Sequence, residues 1–111
     1  MEKDCIFCKI VAGHLPAHVV AESQDVLVIK DIHPRAPIHY LIIPRKHVVH
    51  LGHLAAEDQD VAASLLMMAQ RLSQQDERAR EFRLVSNNGA TAGQEVFHTH
   101  LHFLAGKDFS L

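Results

Sequence analysis

The sequence predicts an α+β domain: one mostly antiparallel five-stranded sheet, a long helix packed on it and a short helix at the N-terminus. Three observations carry this prediction. Apolar residues at Val61, Leu65, Met68 and Leu72 recur at the spacing of a helix with one buried stripe. Val19–Glu22 and Val26–Lys30 are strand-like runs separated only by Ser23-Gln24-Asp25, which suggests a hairpin. Near the C-terminus, Phe97-His98-Thr99-His100-Leu101-His102-Phe103 alternates strictly, the period of a strand.

Taken in order, Asp4 can cap a short helix running to about Ala12, which Gly13 ends and Pro16 prevents from continuing. The hairpin follows, and then Ile32-His33-Pro34-Arg35-Ala36-Pro37, a turn, because its prolines remove ladder donors and restrict their neighbours. Residues 39–44, rich in Ile and Leu, form the third strand. The long helix is expected over residues 56–80, with Glu57, Asp58 and Asp60 favouring its N-terminus. Residues 82–87 and 96–104 are the last two strands, joined by the small-residue loop Asn88-Gly89-Ala90-Thr91-Ala92-Gly93.

At 111 residues, with neither repeat nor linker, residues 1–111 read as one domain, long enough to bury roughly two-thirds of the unfolded chain's surface. No apolar run approaches the roughly 20 residues needed to span a bilayer. The charged start Met1-Glu2-Lys3-Asp4 does not resemble a signal peptide, so the expected address is cytoplasmic. A net charge of -2, with no basic run longer than Arg45-Lys46, lacks the footprint of a protein that grips a nucleic-acid backbone. Binding of a single nucleotide stays open. The ten histidines are far above ordinary usage, and the two cysteines are packed as Cys5-Ile6-Phe7-Cys8. In a reducing compartment such a pair reads as half a zinc site or as a redox pair more readily than as a structural disulfide. It can also be two helical cysteines buried as small apolar residues.

On a strand, the alternation of residues 97–103 sends His98, His100 and His102 to one face, and Phe97, Leu101 and Phe103 to the other, against the long helix. Thr, Lys or Glu would serve equally well if the outward positions only had to be polar. With a reference pKa near 6.5, clustered imidazoles hold neutral and protonated rings together at neutral pH. That suits phosphoryl transfer: a neutral ring attacks phosphorus, a charged one stabilises oxygens, and a proton reaches the leaving group. The rival chemistry is a three-histidine zinc site of the hydrolytic kind, and spacing alone does not choose.

His98-Thr99-His100-Leu101-His102-Phe103-Leu104 resembles the His-φ-His-φ-His-φ-φ signature (φ apolar) of the histidine triad family, with Thr99 as the mildest departure. Ile6-Phe7-Cys8-Lys9-Ile10, residues 31–39, Leu41-Ile42-Ile43-Pro44-Arg45-Lys46-His47 and residues 87–97 resemble other segments of that family, in order and over nearly the whole chain. The likeness is greatest to its nucleoside phosphoramidase (Hint-like) branch. It implies the fold of that family, cleavage at the α-phosphate of purine nucleoside phosphoramidates, a homodimer joined through the long helices and sheet edges, and catalysis that requires no cofactor; the alternatives are a dinucleoside polyphosphate hydrolase of the same family or a non-catalytic nucleotide-binding interaction protein. It implies His100 as the nucleophile and His102 as the contact to phosphate and leaving group. By the same likeness His98 supports the site and orients the nucleophile partly through its backbone, and His39 is the fourth histidine.

Asn87, Gly93, Gln94 and Glu95 match the loop around the α-phosphate, with the Val96 backbone N–H as a phosphate donor. Glu95 stands where relatives carry Ser, so no hydroxyl contact is expected there. Asp31 matches the carboxylate that holds the ribose hydroxyls, although an Asp standing alone at a strand end is commonly a turn residue. Phe7, Ile10, Ile29 and Ile32 match the apolar walls around the base. In zinc-bearing relatives the cysteine pair is joined by residues matching His47 and His98, which implies a structural zinc on Cys5, Cys8, His47 and His98. His50 and His53 are expected on a solvated turn, and His14, His18 and His33 have no assigned role.

Overall fold

A computed structural model describes residues 4–110. Its elements are α1 (Ile6–Val11), β1 (Val19–Glu22), β2 (Val26–Lys30), β3 (Ile38–Pro44), α2 (Gln59–Gln75), β4 (Phe82–Val85) and β5 (Leu101–Ala105), with short 3-10 turns between them. The strands form one antiparallel sheet in the order β1-β2-β3-β5-β4, so the last strand lies between the third and the fourth. This is the α+β architecture expected.

Period-2 alternation gives the sheet two apolar faces. Val26 and Val28 of β2, Ile38 and Ile42 of β3, and Leu101, Phe103 and Ala105 of β5 form one core with Leu65, Met68, Ala69 and Leu72 of α2. Phe103 is fully buried and stacks between Phe82, centroids 4.6 Å apart, and Tyr40 at 6.2 Å. The intervening residues Leu27, Ile29, Leu41 and Ile43 pack on the opposite face against Phe7 of α1. His39, next to Leu41 in this alternation, and His102, paired with Leu41 in the β3–β5 register, therefore belong to the α1 face.

Several boundaries differ from expectation. Cys5, not Asp4, caps α1, its Sγ accepting the Cys8 N–H at 3.2 Å. Gly13 does end the helix, at φ +81°, with His14 N–H closing on the Lys9 carbonyl. The helix expected over residues 56–80 is three pieces: 3-10 turns at Ala56–Asp58 and Glu77–Ala79 flank α2. Asp76 makes the second break, being extended (φ -147°, ψ 129°) with its carboxylate accepting the Arg78 N–H. β4 stops at Val85, two residues before the expected end, and β3 starts one residue early, at Ile38.

The largest difference lies in the strand expected over residues 96–104, because β5 begins only at Leu101. Residues before it are pinned by a loop instead: Thr99 donates both its N–H and its hydroxyl to the Val48 carbonyl, and Gln94 Nε2 donates to the Val49 carbonyl. Phe97 is consequently half exposed rather than packed on α2, whereas Leu101 and Phe103 are buried there as expected. Among the described residues no helix is long and apolar enough to cross a membrane.

Candidate active site and metal centre

Three chain segments converge at the start of α1. Its N-cap geometry points Cys5 Sγ back over the first turn, beside Cys8 Sγ, while the segment after β3 brings His47 and the lead-in to β5 brings His98. His98 Nδ1 lies 3.2 Å from Cys5 Sγ, 3.5 Å from Cys8 Sγ and 3.2 Å from His47 Nδ1, and His47 Nδ1 lies 3.3 Å from Cys8 Sγ. All four ligand atoms fall within 4.8 Å of one another. Tetrahedral zinc, with sulfur at about 2.3 Å and nitrogen at about 2.0–2.1 Å, sets its ligand atoms about 3.3–3.8 Å apart. The cluster has that size and donor set.

The hydrogen bonding of His98 fits too. Its ring is fully buried and its Nε2–H donates to the Pro44 carbonyl at 2.8 Å, which leaves the Nδ1 lone pair aimed at the sulfurs. A backbone carbonyl behind the imidazole is the usual way a metal-binding tautomer is fixed. Burial holds His98 below the ordinary imidazole range, partly offset by the Pro44 carbonyl, and burial raises the Cys5 thiol. Both groups are thus neutral ligands at rest, and a bound cation favours the thiolate.

Two residues further on, the chain bends His100 onto the same face. Its Nδ1–H donates to the His98 carbonyl at 2.8 Å, so the neutral ring keeps a bare lone pair on Nε2. Phe7 presses edge-on against both rings, with centroids 5.1 Å from His100 and 5.9 Å from His98. His102 is the next ring along, 5.2 Å from His100. All three imidazoles lie on the α1 face, although only His102 sits on β5. They do not converge on one point, because the free nitrogen of His98 faces the cysteines while His100 and His102 face each other. That arrangement separates a thiol-rich centre from a two-imidazole site and disfavours a three-histidine metal.

A third group stands behind His102. The Arg35 backbone N–H donates to His39 Nδ1 at 3.0 Å, so the proton of neutral His39 is on Nε2, which faces His102 Nδ1 at 2.9 Å and Asp31 Oδ2 at 3.3 Å. Neutral His102 accepts at Nδ1 and carries its own proton on Nε2. His39 is buried, and desolvation holds it below its ordinary range. His102 is pushed down to about 4, by burial first and then by the neighbouring charges of His100 and His39. Side by side, therefore, are a lone pair on His100 and an N–H donor on His102. A nucleophile and a proton donor are what displacement at phosphorus needs.

The remaining expected residues fall into two groups. Gln94 is buried and spends its side chain on the loop itself: Oε1 accepts from Gly89 N–H, and Nε2 donates to the Val49 and Val96 carbonyls. Gly93 holds φ +93° beside Asn87, a conformation that favours glycine, and Glu95 is exposed. On the apolar side, Phe7 and Ile29 are buried, with Ile10 and Val96 half-buried against the same cluster. Ile32 stands apart, 86% exposed on the β2–β3 loop. Of the histidines set aside, His50 and His53 occupy the expected short turn, and His14, His18 and His33 are exposed. Sequence reading missed Arg35, whose contribution is a backbone N–H; the proline-fixed turn just before His39 was the available signal.

The comparisons agree with this architecture. A HIT-like protein of Synechocystis is 43% identical over 110 residues, covering 99% of this chain and 96% of that one. A HIT family hydrolase from Legionella pneumophila superposes with a TM-score of 0.90 at 41% identity over 96% of both chains. A zinc-bound histidine triad family protein from Mycobacterium smegmatis, 32% identical, has a TM-score of 0.83 over 96% of this chain and 78% of that one. The family model described as the HIT domain matches residues 12–109, and the chain belongs to that family, the histidine triad proteins.

Proposed function

We propose that this protein is a nucleotide hydrolase or transferase that cleaves at the α-phosphorus of purine nucleoside phosphoramidates, through a covalent nucleotidyl adduct on His100. The observation that carries this reading is the His100 Nδ1–H bond to the His98 carbonyl, which fixes the ring and the neutral tautomer whose Nε2 lone pair stands beside His102. In the first step Nε2 bonds to phosphorus and the bond to the leaving nitrogen breaks, that nitrogen taking a proton from the side of His102. In the second, water attacks phosphorus and gives a proton to the Nε2 of His102 left bare by the first step, the P–Nε2 bond of His100 breaks, and the nucleoside monophosphate leaves with both rings restored.

Around these atoms, Asn87, Gly93, Gln94, Glu95 and the Val96 N–H border the phosphate, where a glycine-bearing loop lets backbone N–H groups approach its oxygens. Asp31 takes the ribose hydroxyls, and Phe7, Ile10, Ile29 and Ile32 wall the base. Cys5, Cys8, His47 and His98 would hold a zinc ion whose contribution is a structural cross-link between α1, the segment after β3 and the lead-in to β5. The test is to quench the enzyme during turnover of an adenosine phosphoramidate and map adducts by mass spectrometry. A nucleotidyl mass on the peptide at His100 is expected; steady turnover with no adduct there, or with the adduct on another histidine, overturns the mechanism.

The same reading includes a homodimer. β4 is an edge strand, and Leu66 and Met67 stand 61% exposed on α2. An open edge beside exposed apolar side chains is a surface that folded proteins cover. Met67→Glu is expected to shift the sedimentation mass from dimer to monomer at micromolar concentration. A wild-type chain that sediments as a monomer at those concentrations rejects the pairing.

A further inference from the structure

The carboxylate of Asp31 makes contacts that ribose binding does not explain. Backbone pairing of Asp31 N–H with the His39 carbonyl sets it at the end of β2, and the His33 N–H fixes Oδ1 at 2.8 Å. The other oxygen, Oδ2, points into the protein, 3.3 Å from His39 Nε2 and 3.9 Å from His102 Nδ1. His39 cannot take a second proton without losing the Arg35 N–H at its Nδ1. It is therefore a neutral donor whose single Nε2–H has two acceptors in reach, His102 Nδ1 and Asp31 Oδ2.

This arrangement has a consequence for His102. For His102 to become an imidazolium, its Nδ1 must carry a proton and so turns from acceptor to donor, directly facing the Nε2–H of His39. Two donors 2.9 Å apart repel unless an acceptor takes both. Asp31 Oδ2 lies 3.3 Å from His39 Nε2 and, at 3.9 Å, within ion-pair distance of His102 Nδ1, close enough to take its proton after a small shift and to bring the compensating charge. The other groups facing His102 are His100 on the lead-in to β5 and Arg35 on the β2–β3 loop, and both oppose its charging.

We infer that Asp31 is a positioning residue for the proton donor: acting with His39, it accepts the Nδ1–H of His102 and so permits the imidazolium that hands its Nε2 proton to a basic leaving group. The inference rests on the proposed reaction at His100 for its use, but not for its geometry. In the balance, His102 takes one proton from solvent onto Nδ1 as the anionic substrate arrives and gives its Nε2 proton to the departing nitrogen, which leaves the neutral Nδ1–H tautomer held by Asp31. Nε2 regains a proton from the attacking water and Nδ1 releases its own to solvent as product leaves, while His39 and Asp31 keep their own proton counts throughout.

The test is Asp31→Asn, which keeps the shape and an acceptor for the His33 N–H but removes the charge. Two substrates sharing one nucleotide are compared at pH 7: one with an alkylamine leaving group, which must be protonated, and one with nitrophenolate, which need not be. Because a general acid contributes about 10²–10⁴-fold, kcat for the amine is expected to fall about 100-fold further than kcat for nitrophenolate, while the weakened ribose contact raises KM equally for both substrates. Binding through ribose alone predicts an equal loss on both, chiefly in KM, and that result overturns the proposal.

A second readout follows the His102 ring by NMR during an acid titration. An opposite charge within about 4–6 Å is worth about 1–3 pH units, so the His102 midpoint should move down by about one unit or more in Asp31→Asn. An unmoved midpoint overturns the proposal. If the wild type turns over neither substrate, the reaction assigned to His100 fails, and the titration decides the Asp31 relay by itself.

Discussion

His100→Ala is expected to lower kcat by at least about 10⁴-fold, to a rate nearly independent of leaving group, while nucleotide affinity changes by less than about tenfold. Removal of a nucleophile deletes the covalent path itself, so its cost is set by the whole first step; removal of a proton donor costs only about 10²–10⁴-fold. His102→Gln should therefore be the milder change, and milder still with an acidic leaving group. The fold should tolerate the loss of His100, since the ring is only half-buried and its one hydrogen bond among the described residues is the donation to the His98 carbonyl. Calorimetric binding of adenosine monophosphate, with turnover measured on the same preparation, checks both halves. Wild-type kcat in His100→Ala would remove the covalent mechanism, and lost binding with kcat intact would move His100 into the binding site instead.

Most of the frame was legible because burial is periodic. The apolar stripe at Leu65, Met68 and Leu72 has only one way to face a core, the near-continuous apolar runs of β2 and β3 suit strands covered on both faces, and β1 and β2 have the expected limits. Boundaries were misread where a side chain competes with the backbone for hydrogen bonds. Cys5 caps α1 with a thiol, and Asp76 ends α2 by turning its carboxylate onto the Arg78 N–H, a local choice that helix periodicity does not register.

The histidine segment illustrates the difference more sharply. Alternation placed three rings on one face, and all three are there, yet strand pairing starts only at Leu101. The reason is long-range: Val48 is bound by Thr99 and Val49 by Gln94, and no pattern in residues 94–100 announces partners some fifty positions away. Phe97 was misplaced for the same reason. The resemblance supplied residue types for the site, whereas the tautomers came from Arg35 N–H, the Pro44 carbonyl and the His98 carbonyl, which are backbone atoms that any side chain could have presented.

Removing the thiol at position 8 is the change expected to cost most stability. Cys8→Ser should abolish binding of one zinc per chain, and it should erase the difference in melting temperature between metal-loaded and chelated protein. If free zinc stands about 1,000-fold above its dissociation constant, binding stabilises the fold by about 4 kcal/mol. For a chain of this length that is on the order of 10 °C or more in Tm. The effect should reach beyond stability, because His98 belongs to both centres: its Nδ1 faces Cys5, Cys8 and His47, while its carbonyl holds the proton of His100. Phe7, between the two cysteines in sequence, touches both imidazoles. Loosening the cluster therefore frees His100 to change tautomer, and kcat should fall with chelation although the metal takes no part in the bond-making. Purified protein without zinc, and a Tm that chelator leaves unmoved, would instead make Cys5, Cys8, His47 and His98 a buried hydrogen-bonded knot. In that case Cys8→Ser should cost no more than an ordinary core polar substitution, about 1–3 kcal/mol.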